Sequence, residues 1–293
     1  MKFLVGFSAD RSGLEALQLA AVLARTTGGS LVVCTLVPET WDRPSLARID
    51  QEYANFLCEH AERALAMARA ALPADVAADF IARSVPSASV GLLRTASELS
   101  VDCIVLGSAR SATKGRFASG SVTSEILKQA SLPVILTPRG FTCADDEVIQ
   151  RMTCAVSGSK HSPLLAEQAG EIAATFGVDL RLATFIVRDK QMYPTGAGYS
   201  AEDQVANQLR AQAQSVHDTI LADWHSPATL TSVMGDGENW KAAIASIGWE
   251  ETELLIIGSS GPGQLMRVFL GSNAANIARF ATVPRLVLPR QPD

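Results

Sequence analysis

The chain lacks any apolar run long enough to cross a bilayer: no stretch reaches the roughly 18 uninterrupted residues that a membrane helix needs. It also lacks an excess of positive charge. Lys and Arg number 25 against 30 Asp and Glu, a formal net charge of −5, and no basic tract offsets it. A general nucleic-acid surface needs a basic stripe for phosphates, so no nucleic-acid partner is expected. Cysteine is scarce and unpatterned: Cys34, Cys58, Cys103, Cys143 and Cys154 are odd in number, scattered, and form no C-x-x-C pair. A disulfide framework or structural zinc site is therefore not expected, and the five read as small core residues in a reducing cytoplasm. His60 and His217 fall within helical patterns without metal-ligand spacing, and His161 reads as a helix-start residue. No nucleophile–base pair or carboxylate dyad stands out, so no enzyme chemistry is predicted.

What is present is apolar bulk: 47% hydrophobic residues against 19% charged, spread over 293 residues. That composition fits globular domains with ample cores, and the length suggests about two of them. The apolar run Phe3–Phe7 is too short for a signal-peptide core and reads as a buried strand.

Self-similarity sets the architecture. Val105-Leu106-Gly107-Ser108 returns as Ile256-Ile257-Gly258-Ser259, Gly120-Ser121 as Gly271-Ser272, Leu132-Pro133 as Val283-Pro284, and Pro138-Arg139 as Pro289-Arg290. All four pairs share one offset of 151 residues, while Leu4–Ser8 matches Thr153–Ser157 at an offset of 149. A duplication with one small change in loop length explains both values.

Each half alternates strands and helices. In the first, the pattern predicts strands Phe3–Phe7, Leu31–Val37, Ala78–Ala82, Cys103–Leu106 and Val134–Thr137. A helix carries Leu14, Leu17, Ala20, Ala21 and Ala24 on one face and stops at Gly28-Gly29; others cover Asp50–Ala71, Ser89–Leu99 and Val122–Ala130. In the second half the strands are Met152–Val156, Leu180–Val187, Thr229–Met234, Leu254–Ile257 and Arg285–Leu288. Helices fall at Pro163–Phe176, Glu202–Ala222, Trp240–Trp249 and Ala274–Phe280. Continuous apolar strands between helices imply parallel sheets covered on both faces, with ligands along the edge of strand C-termini. The acidic stretch Gly140–Gln150 reads as a linker, giving domains 1–140 and 150–293. Trp224, Trp240 and Trp249 read as core.

The segment Gly258-Ser-Ser-Gly261, continuing through Arg267 to Gly271-Ser272, carries the chemistry. It begins where a buried strand ends and finishes where a helix begins. Glycines at 258 and 261 let backbone amides approach a ligand, and Gly271-Ser272 puts amides and a hydroxyl at a helix N-terminus that favours anions. Such a unit suits a polyphosphate. The first half departs from it: Gly107-Ser-Ala-Arg110 puts arginine where the second glycine should lie, before Gly120-Ser121. Arg110 would either obstruct a nucleotide or hold a different anion. Arg267, Lys114 and Arg116 lie in the same loops, as cations that either neutralise phosphate or are simply solvated.

This pattern in a duplicated α/β chain resembles the tandem form of the universal stress protein family, over nearly the whole sequence. The strand-end prolines in Leu132–Leu136 and Val283–Val287 also resemble the family's last strand. The resemblance implies two repeated five-stranded parallel-sheet sandwiches, adenine nucleotide alpha hydrolase-like, whose final strands pair edge to edge as an intramolecular pseudo-dimer. It implies ATP as the ligand, Mg²⁺ being the ion that triphosphates commonly bring. Ile257, Gly258, Gly261, Gly271, Ser272 and Asn273 would contact the nucleotide, while Val156, Ser157 and Val187 would flank the base. Members that bind nucleotide usually carry an aspartate just after the first strand, where this chain has Ser8 and Ser157.

The expectation is thus a cytoplasmic, regulatory or stress-response nucleotide binder rather than an enzyme, any ATP hydrolysis being slow, with a homodimer as a further option. Two alternatives stay open: a nucleotide-free protein of the same fold that binds a lipid or partner, and an ATP pyrophosphatase-like adenylyl transferase. Ser157-Gly158-Ser159-Lys160-His161-Ser162 loosely resembles the Ser-Gly-Gly-x-Asp-Ser loop of that last group, with Ser159 and His161 at two of its key positions.

Overall fold

The computed structural model describes residues 1–39, 48–159, 161–188, 199–259 and 272–289, with side chains from residues 52 and 207 onward in the two longest helices. The chain divides into two compact units, one built on Met1–Val148 and one that begins at Ile149.

The first unit runs β1 (Lys2–Gly6), α1 (Arg11–Thr27), β2 (Ser30–Pro38), α2 (Arg48–Ala71), β3 (Ala78–Val85), α3 (Ala88–Glu98), β4 (Cys103–Leu106), α4 (Ser121–Gln129) and β5 (Val134–Leu136). Its strands lie in the order β3-β2-β1-β4-β5, all parallel. Phe3, Leu4, Val5, Val33 and Cys34 are fully buried, as strands covered by helices on both faces must be. Helix α1 starts where the Asp10 carboxylate accepts the Gly13 amide at 3.1 Å. It ends at Gly28, whose φ of 59° lies in the left-handed region that glycine enters without a Cβ penalty.

The second unit repeats the plan: β6 (Arg151–Ala155), α5 (Ser162–Phe176), β7 (Asp179–Val187), α6 (Tyr199–Ala222), β8 (Leu230–Gly237), α7 (Trp240–Ala245), β9 (Glu253–Gly258), α8 (Ser272–Phe280) and β10 (Arg285–Leu288). The order is β10-β9-β6-β7-β8, and α5 ends at Gly177 with φ 66°. In both units the chain leaves the central strand toward one side and later returns on the other. Open α/β sheets bind ligands in the crevice that this reversal leaves beyond the strand C-termini.

The predicted helices and strands are all present, with shifted ends. Strand β8 continues past Met234 to Gly237, where α7 packs directly on it. A Cβ at Gly235 or Gly237 would strike the backbone of Ala242 and Ala243, so these glycines admit a helix rather than make a turn. Helix α7 stops at Ala245, short of the expected Trp249. Gly140–Gln150 is not a detached linker: Gln18 Nε2 donates to the Cys143 carbonyl at 3.0 Å and Arg25 Nη1 to that of Glu147 at 3.2 Å, while Phe141 and Ile149 are buried. Cys34, Cys103 and Cys154 are core residues, and burial pushes the Cys34 and Cys154 thiols up to about 11 and about 12. Cys58 is exposed and Cys143 half-buried, so the core reading fails for these two.

The two units differ at the strand N-termini. Leu4 pairs with Val32 in the first; at the same offset Thr153 pairs with Arg181 in the second. There Glu253, fully buried, accepts from Arg181 at 2.8 Å, from Arg151 at 2.7 Å and from the Thr153 hydroxyl. Arg181 also donates to the Ile247 and Gly248 carbonyls and lies over the Trp249 ring. Burial pushes the Arg181 pKa down, against the pull of the Glu253 carboxylate.

Candidate functional site

In the first unit the loop after β4 is fully described, and several of its backbone amides are bonded within the unit. The Ala109 amide donates to Ala118 O at 2.9 Å, Ala112 N to Ala109 O at 3.0 Å, and Gly115 N to Arg139 O at 2.7 Å. Arg116 N is taken by Thr113 O, and Ala118 N by the Ser108 hydroxyl. Gly107 lies against α1, where a Cβ would land on the backbone and hydroxyl of Ser12, and Ser12 Oγ donates to Ser108 O at 2.6 Å. Here glycine lets a helix approach, not a ligand. Arg110 reaches Asp10 through Nη2 at 2.9 Å and Nε at 3.2 Å, tying the loop to the start of α1. Burial raises the Asp10 pKa, but the Gly13 amide, Arg110 and the Ser8 hydroxyl outweigh it and hold the carboxyl below its usual range.

In the second unit, β6 ends at Ala155 and Val156 is buried with its amide on Ala183 O. The hydroxyl of Ser162 donates to Ser157 O at 2.6 Å and accepts the Ser157 amide at 3.1 Å. In the first unit Gly13 presses on Ser8 in the same way, a Cβ there meeting Ser8 N and O. Thr184 Oγ1 donates to Val156 O at 3.0 Å and contacts Nε2 of the buried His217 at 2.9 Å. Val187 ends β7; the next residue, Arg188, bonds Asp236 at the end of β8. At Gly258, the last residue of β9, the nearest described atoms that a Cβ would meet are the side-chain ends of Leu165, at 3.0 and 3.2 Å, rather than the backbone that it would meet at Gly107. Ile257, just before Gly258, is buried. Ser272 and Asn273 open α8 and are exposed. Gly261, Gly271 and Arg267 lie outside the described residues.

The sequence profile of the universal stress protein family matches residues 1–138 and again 149–289. The chain belongs to that family. A universal stress protein of Mycobacterium tuberculosis is 34% identical over 99% of this chain and 100% of its own length. A second one from the same species is 25% identical over 83% of this chain and 79% of its own. Among solved structures, a universal stress protein of Archaeoglobus fulgidus superposes with TM-score 0.61 at 16% identity, covering 99% of this chain and 98% of that one. A putative universal stress protein of Pseudomonas aeruginosa reaches 0.51 at 15% identity, covering 98% and 93%.

This universal stress protein brings Ser157, Val156, Val187, Gly258, Ser272 and Asn273 to strand ends or helix starts of its second domain. His161 precedes α5 and its amide contacts the Ser159 hydroxyl, in keeping with a helix-start role. Sequence reasoning missed four residues of this region: Thr184, His217, Arg210 and Asp236. His217 gave no signal because a buried imidazole is visible only through its partner on another element. Asp236 was hidden in a Gly-Asp-Gly stretch that looks like a loop. Among the described residues no cluster of His, Cys, Asp and Glu could hold a metal ion, and no helix is long and apolar enough to cross a membrane.

Proposed function

We propose that the second domain of this universal stress protein holds one adenine nucleotide, ATP with the Mg²⁺ it carries, and that the chain acts as a regulatory, cytoplasmic nucleotide binder. The supporting observation is the contrast between the repeats. In the first, loop amides are used internally, Gly107 is pressed on α1, and Arg110 fills the second-glycine position against Asp10. In the second, the glycine pattern is complete, Gly258 among the described residues faces the movable tips of Leu165, and Ser272-Asn273 stand exposed at the start of α8. A strand end that a backbone can approach, followed by a helix N-terminus, fits a polyphosphate. Gly258, Gly261, Gly271, Ser272 and Asn273 would hold the phosphates and ribose, and Val156, Ser157 and Val187 would flank the base. Ion-dipole attraction and exposed amides bind; nothing in this set places a base beside water, which supports binding rather than turnover.

The adenylyl-transferase alternative loses support. Its loop needs open amides, whereas the Ser157 amide is taken by Ser162 and that of Ser159 faces the Ser157 hydroxyl at 3.4 Å. Isothermal titration of the purified protein should give about one ATP per chain, and Gly271→Asp should abolish it by setting a carboxylate against the phosphates. An absence of heat at millimolar ATP would sink the nucleotide reading in favour of a lipid- or partner-binding protein. Pyrophosphate release with an adenylylated acceptor would instead restore the transferase.

A further inference from the structure

At the C-terminal ends of β7 and β8, two arginines share one carboxylate. Arg188 Nε donates to Asp236 Oδ1 at 2.8 Å, and Arg210 Nη2, from α6, donates to Asp236 Oδ2. The group is held in place from several sides. Arg188 N donates to Gly237 O at 2.9 Å, the Asp236 amide to Ser246 Oγ at 3.1 Å, and Arg210 Nη1 to Asn207 Oδ1 at 2.9 Å. Burial raises the Asp236 pKa, yet the bonds and charges of Arg210 and Arg188 more than reverse this, so the carboxylate stays ionised and balances only one of the two guanidinia. Among the described residues Arg188 bonds it through Nε, and its two Nη groups bond no other described residue. The side chains of Arg188 and Arg210 are 47% and 41% exposed, so a solute can reach both.

The first domain supplies an internal control. Glu39 N donates to Val85 O at 3.1 Å, the same bond that Arg188 makes with Gly237, so Glu39 and Arg188 occupy matching places. Ser84 takes the place of Asp236, and α2, whose bounds match those of α6 at an offset of 151, has Glu59 in the place of Arg210. Two guanidinia thus stand in the second domain where the first has carboxylates, and the second is the domain whose glycine pattern is complete. A bare ion pair stabilising β7 against β8 would need one arginine.

We infer that Arg188 and Arg210 form a second oxyanion position, specific for a phosphoryl group, at the C-terminal ends of β7 and β8. Two planar forks match phosphate oxygens in a way that a lysine pair does not. The strand order β9-β6-β7-β8 separates this position from the end of β9 by up to three inter-strand steps, roughly 14 Å at about 4.8 Å each. The ligand class that fits both ends is a nucleotide phosphorylated on both sides of its nucleoside, or a dinucleoside polyphosphate. That ligand class rests on the nucleotide reading above; the oxyanion position does not.

The experiment has two arms, on the full chain. In the first, inorganic phosphate is titrated into ¹⁵N-labelled wild-type protein against chloride at matched ionic strength, and the arginine Nε–H resonances are followed. Phosphate should move those of Arg188 and Arg210, with no such shift in Arg188→Gln/Arg210→Gln. Equal response to both salts in the wild type, which needs no variant to fold, overturns the oxyanion position. In the second arm, diadenosine tetraphosphate and ATP are compared by calorimetry. The two-ended ligand should bind at least about tenfold tighter, and the double variant should lose that advantage while keeping its affinity for ATP. Equal affinities would overturn the ligand class. Loss of all nucleotide binding with phosphate shifts intact would remove the nucleotide site and leave the arginine site standing.

Discussion

His217 Nε2 lies 2.9 Å from Thr184 Oγ1, and that hydroxyl donates its proton to the Val156 carbonyl 3.0 Å away. A hydroxyl has one proton and a carbonyl only accepts, so the imidazole must be the donor, which fixes its proton on Nε2. The first domain keeps the threonine, with Thr35 Oγ1 on Phe7 O at 3.3 Å, but α2 has Ala66 where the matching bounds of α6 place the histidine. The duplicated fold has therefore acquired a buried titratable group behind one strand end only.

Acid should expose that difference. Burial lowers the His217 pKa below its ordinary 6.5, with the Asp218 charge opposing but not cancelling the effect. Below 6.5 the unfolded chain takes up a proton that the native state resists, so stability is complete above that pH and falls as pH drops toward the folded pKa. The slope from this group is at most about 1.4 kcal/mol per pH unit. Urea midpoints at pH 7.5, 6.5 and 5.5 should fall for the wild type and stay flatter for His217→Gln; parallel curves would refute the assignment.

The Arg110–Asp10 contact should behave as two interactions of unequal weight. Asp10 caps α1, and its loss as Asp10→Ala should cost about 1 kcal/mol. Arg110, 82% exposed, should matter less, with Arg110→Ala costing under about 1 kcal/mol and the cost shrinking in high salt. The Asp10 carboxyl sits below its usual range, so its contribution is present at neutral pH and is lost as acid protonates it. Denaturant titration of both variants at low and high salt checks the order. Equal costs would mean that the ion pair, not the cap, holds the loop.

Much of this was legible in the sequence because periodicity and repetition are local signals. The strand C-termini, the duplicated order and the breaks at Gly28 and Gly177 follow from apolar runs and from glycines at helix ends. The environments of single residues were not legible. Gly107 and Gly258 both follow an apolar strand and precede a serine, yet one is pressed on a helix backbone and the other on side-chain tips. Ser8 and Ser157 match by offset, yet Gly13 faces the first and the hydroxyl of Ser162 the second. Arg188, Arg210 and Asp236 come from three elements, so their meeting depends on packing that no spacing along the chain encodes.

Those two glycines separate packing from binding. A methyl at Gly107 would strike Ser12 with no side chain able to yield, so Gly107→Ala should cost about 1–3 kcal/mol through overpacking. At Gly258 the neighbours are the ends of Leu165, which can rotate, so Gly258→Ala should cost under about 1 kcal/mol by the same reasoning. If Gly258 belongs to the phosphate cradle, the milder variant should also be the one that weakens ATP binding. Thermal unfolding and calorimetry on both proteins test the crossover. A destabilised Gly258→Ala with unchanged ATP affinity would assign that glycine to packing alone.

The buried ion cluster gives the sharpest energetic test because the first domain has apolar residues at two of its positions. Glu253 is fully buried and serves Arg151, Arg181 and Thr153, while the first domain fills the matching pair of positions with Leu4 and Val32. Removing one partner leaves a charge stranded in low dielectric, so Arg181→Leu should cost about 3–5 kcal/mol. Removing the whole set avoids that penalty: Thr153→Leu, Arg181→Val and Glu253→Leu together should be less damaging than Arg181→Leu alone. Arg151, 25% exposed and 3.5 Å from Glu250, keeps a partner in that triple variant. Urea unfolding of the single and triple variants decides the matter. If the triple variant is the less stable, the bonds from Arg181 to the Ile247 and Gly248 carbonyls, which no apolar residue replaces, outweigh the charge term.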